Sequence, residues 1–341
     1  MVERASAAEI KRRRAGASAA IQVAVPPDLD FDWAARFLAA RMVPSIEMVA
    51  PDGLERVVWL APTKRGPDEV GPVTLSIQHR GASAGITGAA AARRSGARFV
   101  VCSAPQLPAP RIRDAIIRMF DLDADLSEFA AVAGRDPILG PVVAGNPPGL
   151  RLLQLLDPFE ALVRAILGQQ VSVAAARTMT DRLVRLVAMP AARLPSGDII
   201  PLARPRYAFP RPERIAELGP GRLRTIGLTR AKAAAVHAAG AAVARGLVDF
   251  RELRRATAED AEAALCSLPG VGPWTAAYVR LRALGDRDAF PITDLGLVRA
   301  LTALGVPQSR IQATAERWRP WRGYATLHLW SSLSAVPGPP A

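Results

Sequence analysis

The stretch LPGVGPWTAAYV, from Leu268 to Val279, has the composition of a tight turn followed by a helix. Gly270 and Gly272 allow positive φ angles and let backbone N–H groups approach a ligand without an intervening Cβ. Pro273 is favourable in the first turn of the helix, whose positive N-terminal end points at the same spot. The turn could therefore bind a phosphate, and the alternative is an ordinary corner between two helices stiffened by glycine.

Carbonyl oxygens lie on the other side of such a turn and could hold a monovalent cation, sodium or potassium, that bridges to DNA. The candidate carbonyls are those of Cys266, Leu268 and Val271. No further metal or cofactor is expected, because the three histidines lack metal-ligand spacing and two cysteines are too few for a four-cysteine site.

One carboxylate downstream of the turn is a candidate for chemistry. Asp294 lies 22 residues after Gly272, directly before the apolar segment LGLVRAL. Taken alone, it is most simply the N-cap of a helix that begins at Leu295. A capping carboxylate is rigidly aimed, so the same side chain could also stabilise a developing positive charge.

The charge of the chain favours a polyanionic partner. Its 341 residues include 44 Lys and Arg against 31 Asp and Glu, a net charge of +13. Phosphate neutralisation releases counterions and drives sequence-independent association with nucleic acid. Only three of the 44 are lysines, however, so a GC-rich genome could account for part of the arginine excess.

The elements that must position these residues fall into two units after a basic flexible tail at 1–22. Residues 23–125 are predicted to form an α+β domain, with a helix that Asp32 could cap and strands at RVVWL, VTLSIQ and RFVVCS. Residues 126–335 are predicted to be helical throughout. The chain has no apolar stretch of ~20 residues and no visible secretory signal, so a cytoplasmic location is expected.

Four segments in order resemble the DNA-3-methyladenine glycosylase II branch of the helix–hairpin–helix DNA glycosylases. They are DWAARFLAARMVPSIEMV, DPFEALVRAILGQQVSVAAA, the LPGVGPWTA hairpin and AERWRPWRGYATLHLW. The resemblance implies an α+β class: an N-terminal mixed antiparallel sheet with helices (TBP-like), followed by an all-α helix–hairpin–helix domain. That domain is expected to form two lobes with the active-site cleft between them.

The resemblance also implies roles for individual residues. Asp294 matches the family's aspartate, which stabilises the oxocarbenium-like transition state of N-glycosidic cleavage. A positively charged alkylated base would stack on aromatic faces in the pocket. The matching pocket positions are Trp274, Tyr278, Trp330, Phe37 and Leu295, and the matching DNA-binding hairpin residues are Leu268, Gly270, Val271, Gly272 and Thr275.

Core packing is the alternative for each of the aromatic side chains in this set, and it is the preferred interpretation for Trp318 and Trp321. Leu295 departs from relatives that carry an aromatic residue after the aspartate. This departure could widen the pocket and change the base preference.

A flipped-out base leaves a gap in the duplex, and in this family a loop side chain fills it. The matching loop LGQQVS indicates Gln170 for this intercalation, with Gln169 beside it. Some relatives carry an apolar wedge here, so a loop glutamine hydrogen-bonded to local backbone is the alternative.

The hairpin and its following helix contain no lysine, whereas glycosylases that also nick the backbone attack the sugar with an amine. Lys232 is instead predicted to be a surface or backbone-contact residue. The expected function is therefore a monofunctional glycosylase for alkylated purines in double-stranded DNA, acting as a monomer. A glycosylase for deaminated or oxidised bases and a non-catalytic binder of damaged DNA remain alternatives.

Overall fold

The structure is a computed structural model that describes residues 20–60, 72–80, 97–104, 107–187 and 207–335. The basic cluster Lys11–Arg14 lies outside these residues. The prediction of a tail over 1–22 is wrong at its end, because a strand begins at Ile21. Only four residues long, this strand is too short for an alternating pattern to be detected.

An antiparallel sheet forms the N-terminal part. Its strands are β1 (Ile21–Ala24), β2 (Glu47–Ala50), β3 (Gly53–Val58), β4 (Val73–Arg80) and β5 (Arg98–Ala104). They pair in the order β1-β5-β4-β3-β2. The three predicted strands correspond to β3, β4 and β5, whereas β1 and β2 were not predicted.

Two helices complete this part, α1 (Phe31–Arg41) and α2 (Ala109–Phe120). The prediction that Asp32 caps α1 is wrong. The helix begins two residues earlier, at Phe31, so Asp30 is the N-cap and accepts a hydrogen bond from the Trp33 N–H at 2.7 Å. Asp32 instead lies in the first turn, where its charge still favours the positive helix end.

The remaining part is helical, as predicted. Its helices are α3 (Leu126–Arg135), α4 (Leu139–Ala144), α5 (Pro158–Gly168), α6 (Val173–Val187), α7 (Pro212–Arg224), α8 (Arg230–Ala244), α9 (Phe250–Leu253), α10 (Ala258–Cys266), α11 (Pro273–Val279), α12 (Leu295–Ala303), α13 (Ile311–Ala315) and α14 (Arg322–Ala335). A π-helical turn, Arg280–Leu284, extends α11. Among the described residues, no helix is both long and apolar enough to cross a membrane.

Apolar side chains are buried in three clusters. The first joins the sheet to α1 and α2 and includes Phe37, the second joins α5 to α8, α10 and α11, and the third joins α3, α4, α12 and α14. Trp318 and Trp321 are buried in the third cluster, which confirms the prediction of core packing for them. The domain boundary at residues 125 and 126 stays a prediction.

A buried ion network ties the sheet to the helical part. Arg56 of β3 pairs with Glu47 of β2 and with Glu160 of α5. Arg164 of α5 pairs with the same two carboxylates, at 3.2 Å and 2.9 Å. Each buried charge is thus compensated, and removal of one partner would leave an uncompensated ion in the interior. The network holds α1 and α5 together, since Arg164 also donates to the carbonyl oxygen of Arg41 at 2.5 Å.

Candidate active site

Asp294 lies at the N-terminus of α12 with both carboxylate oxygens hydrogen-bonded. Oδ1 accepts the backbone N–H of Leu297 at 2.9 Å, which makes Asp294 the N-cap of the helix. Oδ1 also accepts the indole N–H of Trp330 at 2.9 Å, and Oδ2 accepts that of Trp274 at 3.0 Å. The cap and the aimed carboxylate therefore coexist, and three donors fix the orientation of the group.

Aromatic rings surround this carboxylate. Trp274 and Tyr278 are one turn apart on α11 and stack with ring centroids 5.5 Å apart. Tyr278 meets Trp330 of α14 at 6.3 Å. Rings from two different core clusters therefore converge on Asp294, and their faces could hold a flat, electron-poor base.

The helix α1 supplies the other side of the site. Its Trp33 ring stacks on Phe37 at 5.1 Å, and the Trp33 indole N–H donates to Ser331 Oγ of α14 at 3.0 Å. This contact joins the N-terminal part to the helix that carries Trp330. Leu295, directly after Asp294 at the start of α12, is 72% exposed.

Two arginines near these rings were not singled out from the sequence. The guanidinium carbon of Arg41 lies 3.7 Å from the Phe37 ring centroid, and that of Arg282 lies 5.0 Å from the same ring and 5.9 Å from Tyr278. The one available signal was the spacing of Arg41, four residues after Phe37 on a helix, which places both on one face.

Burial acts on both guanidinium groups. It lowers the pKa of Arg41 to about 10, with the charges of Tyr278 and Asp294 acting to raise this pKa and that of Arg282 acting to lower it. Burial also lowers the pKa of Arg282, whose Nε donates to the Leu153 carbonyl oxygen at 2.6 Å. Both groups are thus cations in a poorly solvated place close to the aromatic set.

A turn lies between α10 and α11, as predicted, but of its two glycines only Gly270 has a positive φ. Gly270 has a φ of +79°, and a Cβ added there would lie 2.6 Å from Ala235 Cβ of α8, so only glycine suits this position. Gly272 is the N-cap of α11 and faces open space, with no acidic residue in the first turn that follows. The turn is therefore accessible to an anion, as a phosphate site requires.

Of the three carbonyl groups proposed to bind a cation, that of Leu268 accepts a hydrogen bond from the backbone N–H of Val271 at 3.1 Å. A carbonyl oxygen has a second lone pair, so this bond does not prevent coordination. The cation at Cys266, Leu268 and Val271 stays a prediction. Within the described residues no group of three or more His, Cys, Asp or Glu side chains is arranged to hold a metal ion.

The loop between α5 and α6 lies against this hairpin. The Gln169 side-chain amide donates to the Gly270 carbonyl oxygen and to Thr275 Oγ1, each at 2.9 Å. Gln170 is exposed and has a φ of +57°. The side chain of Gln169 is thus engaged with the hairpin, while Gln170 projects beside the exposed Val171.

Lys232 of α8 contacts the same loop at the C-terminal end of α5. Its Nζ donates to the carbonyl oxygens of Leu167 and Gln169, at 2.9 Å and 2.8 Å. A contact of Lys232 with the DNA backbone stays a prediction. The carbonyl end of α5 is the negative end of its dipole, so a cation is favourable there. Burial lowers the pKa of this lysine. Lys11 and Lys64 lie outside the described residues.

Comparison with known proteins bears on both parts. Residues 20–157 match the model of the AlkA N-terminal domain, and residues 163–323 match that of the HhH-GPD superfamily base excision DNA repair protein. The chain is 32% identical over 305 residues to DNA-3-methyladenine glycosylase 2 of Escherichia coli, an alignment that covers 89% of this chain and 94% of that protein.

Two further relatives extend the comparison. The chain is 41% identical over 224 residues to the probable bifunctional transcriptional activator/DNA repair enzyme AlkA of Mycobacterium tuberculosis, which covers 63% of this chain but only 41% of that protein. The 3-methyladenine DNA-glycosylase structure from Archaeoglobus fulgidus has the same fold, with a TM-score of 0.71 at 20% identity over 91% of this chain and 96% of that one.

The resemblance inferred from the sequence is thereby confirmed, together with the fold class of an antiparallel sheet with helices followed by a helical helix–hairpin–helix domain. The chain belongs to the AlkA-type DNA-3-methyladenine glycosylases, the alkylbase DNA glycosylases of base-excision repair.

Proposed function

We propose that this chain is a monofunctional hydrolase that removes alkylated purines, such as 3-methyladenine and 7-methylguanine, from double-stranded DNA, and that it acts as a monomer. The carrying observation is the pair of indole N–H groups, from Trp274 and Trp330, that converge on Asp294 beside stacked aromatic rings. Phosphate binding requires neither a carboxylate nor aromatic rings. A non-catalytic DNA binder is therefore the weaker candidate.

In the proposed reaction the C1′–N bond breaks and its electron pair goes to the departing base. The Asp294 carboxylate stabilises the positive charge that develops on the sugar. A water oxygen then bonds to C1′ and loses a proton, which Asp294 can accept and pass to solvent. A cationic alkylated purine departs as a neutral base, so its departure requires no general acid.

The base pocket is proposed to hold the alkylated purine by its positive charge. Trp274, Tyr278 and Trp330 present ring faces, and Phe37 closes the side formed by α1. A cation against such a face gains about 0.5–2 kcal/mol per contact. An undamaged purine is neutral and gains less, which gives the pocket a physical basis for selection.

DNA is proposed to be held by the hairpin residues Leu268, Gly270, Val271, Gly272 and Thr275. Backbone N–H groups at the start of α11 would bind a phosphate next to the lesion. Gln170, projecting from the neighbouring loop, would fill the gap in the duplex left by the flipped base. Gln169 would hold the loop in place through its two hydrogen bonds to the hairpin.

We also propose that the enzyme does not cut the DNA backbone, because no lysine of the described residues is placed to attack the sugar. An amine nucleophile is needed for a Schiff base with the sugar, and the hairpin and α11 contain none. The Nζ of Lys232 is engaged by two carbonyl oxygens behind the loop.

A glycosylase for deaminated or oxidised bases is the second candidate. It is favoured by the exposed Leu295, which leaves the rim of the pocket open to bases of other shapes. Duplexes that carry one such base, assayed beside methylated DNA, distinguish the two substrate classes.

The deciding experiment is chromatography of bases released from methylated duplex DNA, with the native protein and with Asp294→Asn. Asparagine retains an oxygen for the Leu297 N–H, so α12 stays capped while the charge is lost. Release of alkylpurines by the native protein and a loss of ~100-fold or more in the variant are expected. Equal release by both proteins would remove Asp294 from the mechanism. Duplex binding without release by either would favour another lesion or a binding protein.

A further inference from the structure

Arg41 differs from Arg56 and Arg164, the two arginines of the buried ion network, because no carboxylate of the described residues pairs with it. Arg56 and Arg164 each pair with Glu47 and Glu160. Within the described part of the chain, Arg41 forms no ion pair, and its side chain donates a single hydrogen bond, from Nη1 to the Phe37 carbonyl oxygen at 3.2 Å. A partly buried cation without a counter-ion is costly, so its position requires a reason.

Its position relates it to the base pocket. The central carbon of its guanidinium lies over Phe37, 3.7 Å from the ring centroid. Asp294 is the carboxylate whose negative charge acts on it, and Arg282 and Arg164 are the cations that oppose it. Arg282, whose guanidinium carbon lies 5.0 Å from the Phe37 ring centroid, has a buried Nη1 with no hydrogen-bond partner in the described structure.

The reaction moves charge in one direction across this site. Cleavage of the C1′–N bond makes the base more negative by one unit of charge and the sugar more positive by the same amount. This holds for a cationic base, which departs neutral, and for a neutral base, which departs as an anion. A cation beside the base and a carboxylate beside the sugar both favour that transfer, and an interaction that strengthens in the transition state raises the rate.

We propose that Arg41 is a substrate-contacting residue that promotes departure of the base and sets the balance between cationic and neutral lesions. The proposal rests on the glycosylase function proposed above. The guanidinium repels a cationic base in the ground state, and this repulsion weakens as the base loses its positive charge in the transition state. For a neutral base it donates hydrogen bonds from Nε and Nη2 to acceptor atoms and stabilises the departing anion, which takes up the proton released by the attacking water.

The consequence is a split between binding and rate. Loss of the charge at Arg41 slows the chemical step for both lesions. It tightens binding of a cationic base, since repulsion is removed, and weakens binding of a neutral one. A purely structural defect would instead change the affinity for both lesions in the same direction.

The test uses two duplexes, one with a single 7-methylguanine and one with a single hypoxanthine, which is neutral. Single-turnover release rates are measured for the native protein and for Arg41→Gln. Dissociation constants are measured for Asp294→Asn and for the double variant that carries Asp294→Asn and Arg41→Gln. The control is Arg36→Gln, which removes the same charge from an exposed position of α1. Arg41→Lys retains the charge without the planar group, and thermal unfolding reports whether each variant folds.

Arg41→Gln is expected to release both bases ~10- to 100-fold more slowly. Its affinity should rise for 7-methylguanine and fall for hypoxanthine, while Arg41→Lys retains most of the rate and Arg36→Gln shows neither split. Unchanged rates in Arg41→Gln, or affinities that shift together, overturn this inference and leave the proposed function intact. A native protein that releases neither base overturns the proposed function, and this inference with it.

Discussion

The indole N–H of Trp330 lies 2.9 Å from Oδ1 of Asp294, across the contact between α14 and α12. The two residues are 36 positions apart in the chain, and each also belongs to a second contact. Asp294 caps α12, while Trp330 meets Tyr278 of α11. Orientation of the carboxylate therefore depends on three helices at once.

Trp330→Phe should lower the rate of base release while it leaves the aromatic face in place. The variant loses the donor to Oδ1, and the carboxylate can rotate away from the sugar. A loss of about 10-fold is expected in single-turnover release of 7-methylguanine, and Trp274→Phe should behave alike through Oδ2. Trp321→Phe, a core substitution outside this set, controls for the general cost of replacing tryptophan. Native rates in both indole variants would show that Asp294 needs neither donor.

Gly270→Ala and Gly272→Ala should separate the fold of the hairpin from its DNA contact. A Cβ at Gly270 would meet Ala235 at 2.6 Å, and the φ of +79° adds backbone strain. About 1–3 kcal/mol of stability should be lost on thermal unfolding. Gly272 faces open space with an ordinary φ of −102°, so Gly272→Ala should fold normally and bind duplex DNA more weakly. Full DNA affinity in Gly272→Ala would argue against close backbone approach to a phosphate.

Lys232→Met should loosen the loop between α5 and α6, which carries Gln170. The ammonium holds the carbonyl oxygens of Leu167 and Gln169, and its loss frees the end of α5 beside Gln170. Fluorescence of 2-aminopurine next to the lesion should report about 10-fold less base flipping, because each charged hydrogen bond contributes ~1.5 kcal/mol or more. Arg230→Gln removes the same charge from an exposed site on the same helix and should alter only the salt-dependent affinity. Equal flipping in both variants would assign Lys232 a role in stability alone.

His328 should make the fold less stable in mild acid. Burial lowers the pKa of this histidine from 6.5 to about 4, and its side chain is only 4% exposed beside Phe129. Between these two values the unfolded chain binds a proton that the folded chain does not, so stability falls as the pH drops below 6.5. The loss at pH 5 relative to pH 7.5 should be about 2 kcal/mol from this group. Denaturant unfolding of His328→Leu should show that much less pH dependence than the native protein, and an unchanged pH dependence would contradict this assignment.

Local pattern was sufficient for most elements. The alternation of Val73, Leu75 and Ile77 predicted β4, and all three side chains are buried in the sheet core. The four-residue strands β1 and β2 were missed because their pairing partners, β5 and β3, supply the stabilisation that the segments lack by themselves. The N-cap of α1 is Asp30 and not the predicted Asp32 because the helix begins at Phe31, a register that residue type alone does not specify.

Residue types at short spacing were enough to predict the hairpin and the candidate carboxylate, and the order of four segments along the chain was enough to predict the family. Gly270 and Gly272 define a turn, and Asp294 stands directly before its helix. Three relations became visible only in the folded chain: two indoles orient Asp294, Gln169 is engaged with the hairpin, and Arg41 faces Phe37 with no counter-ion among the described residues. Those relations join residues far apart in the chain, and they depend on packed helices whose mutual positions no local pattern specifies.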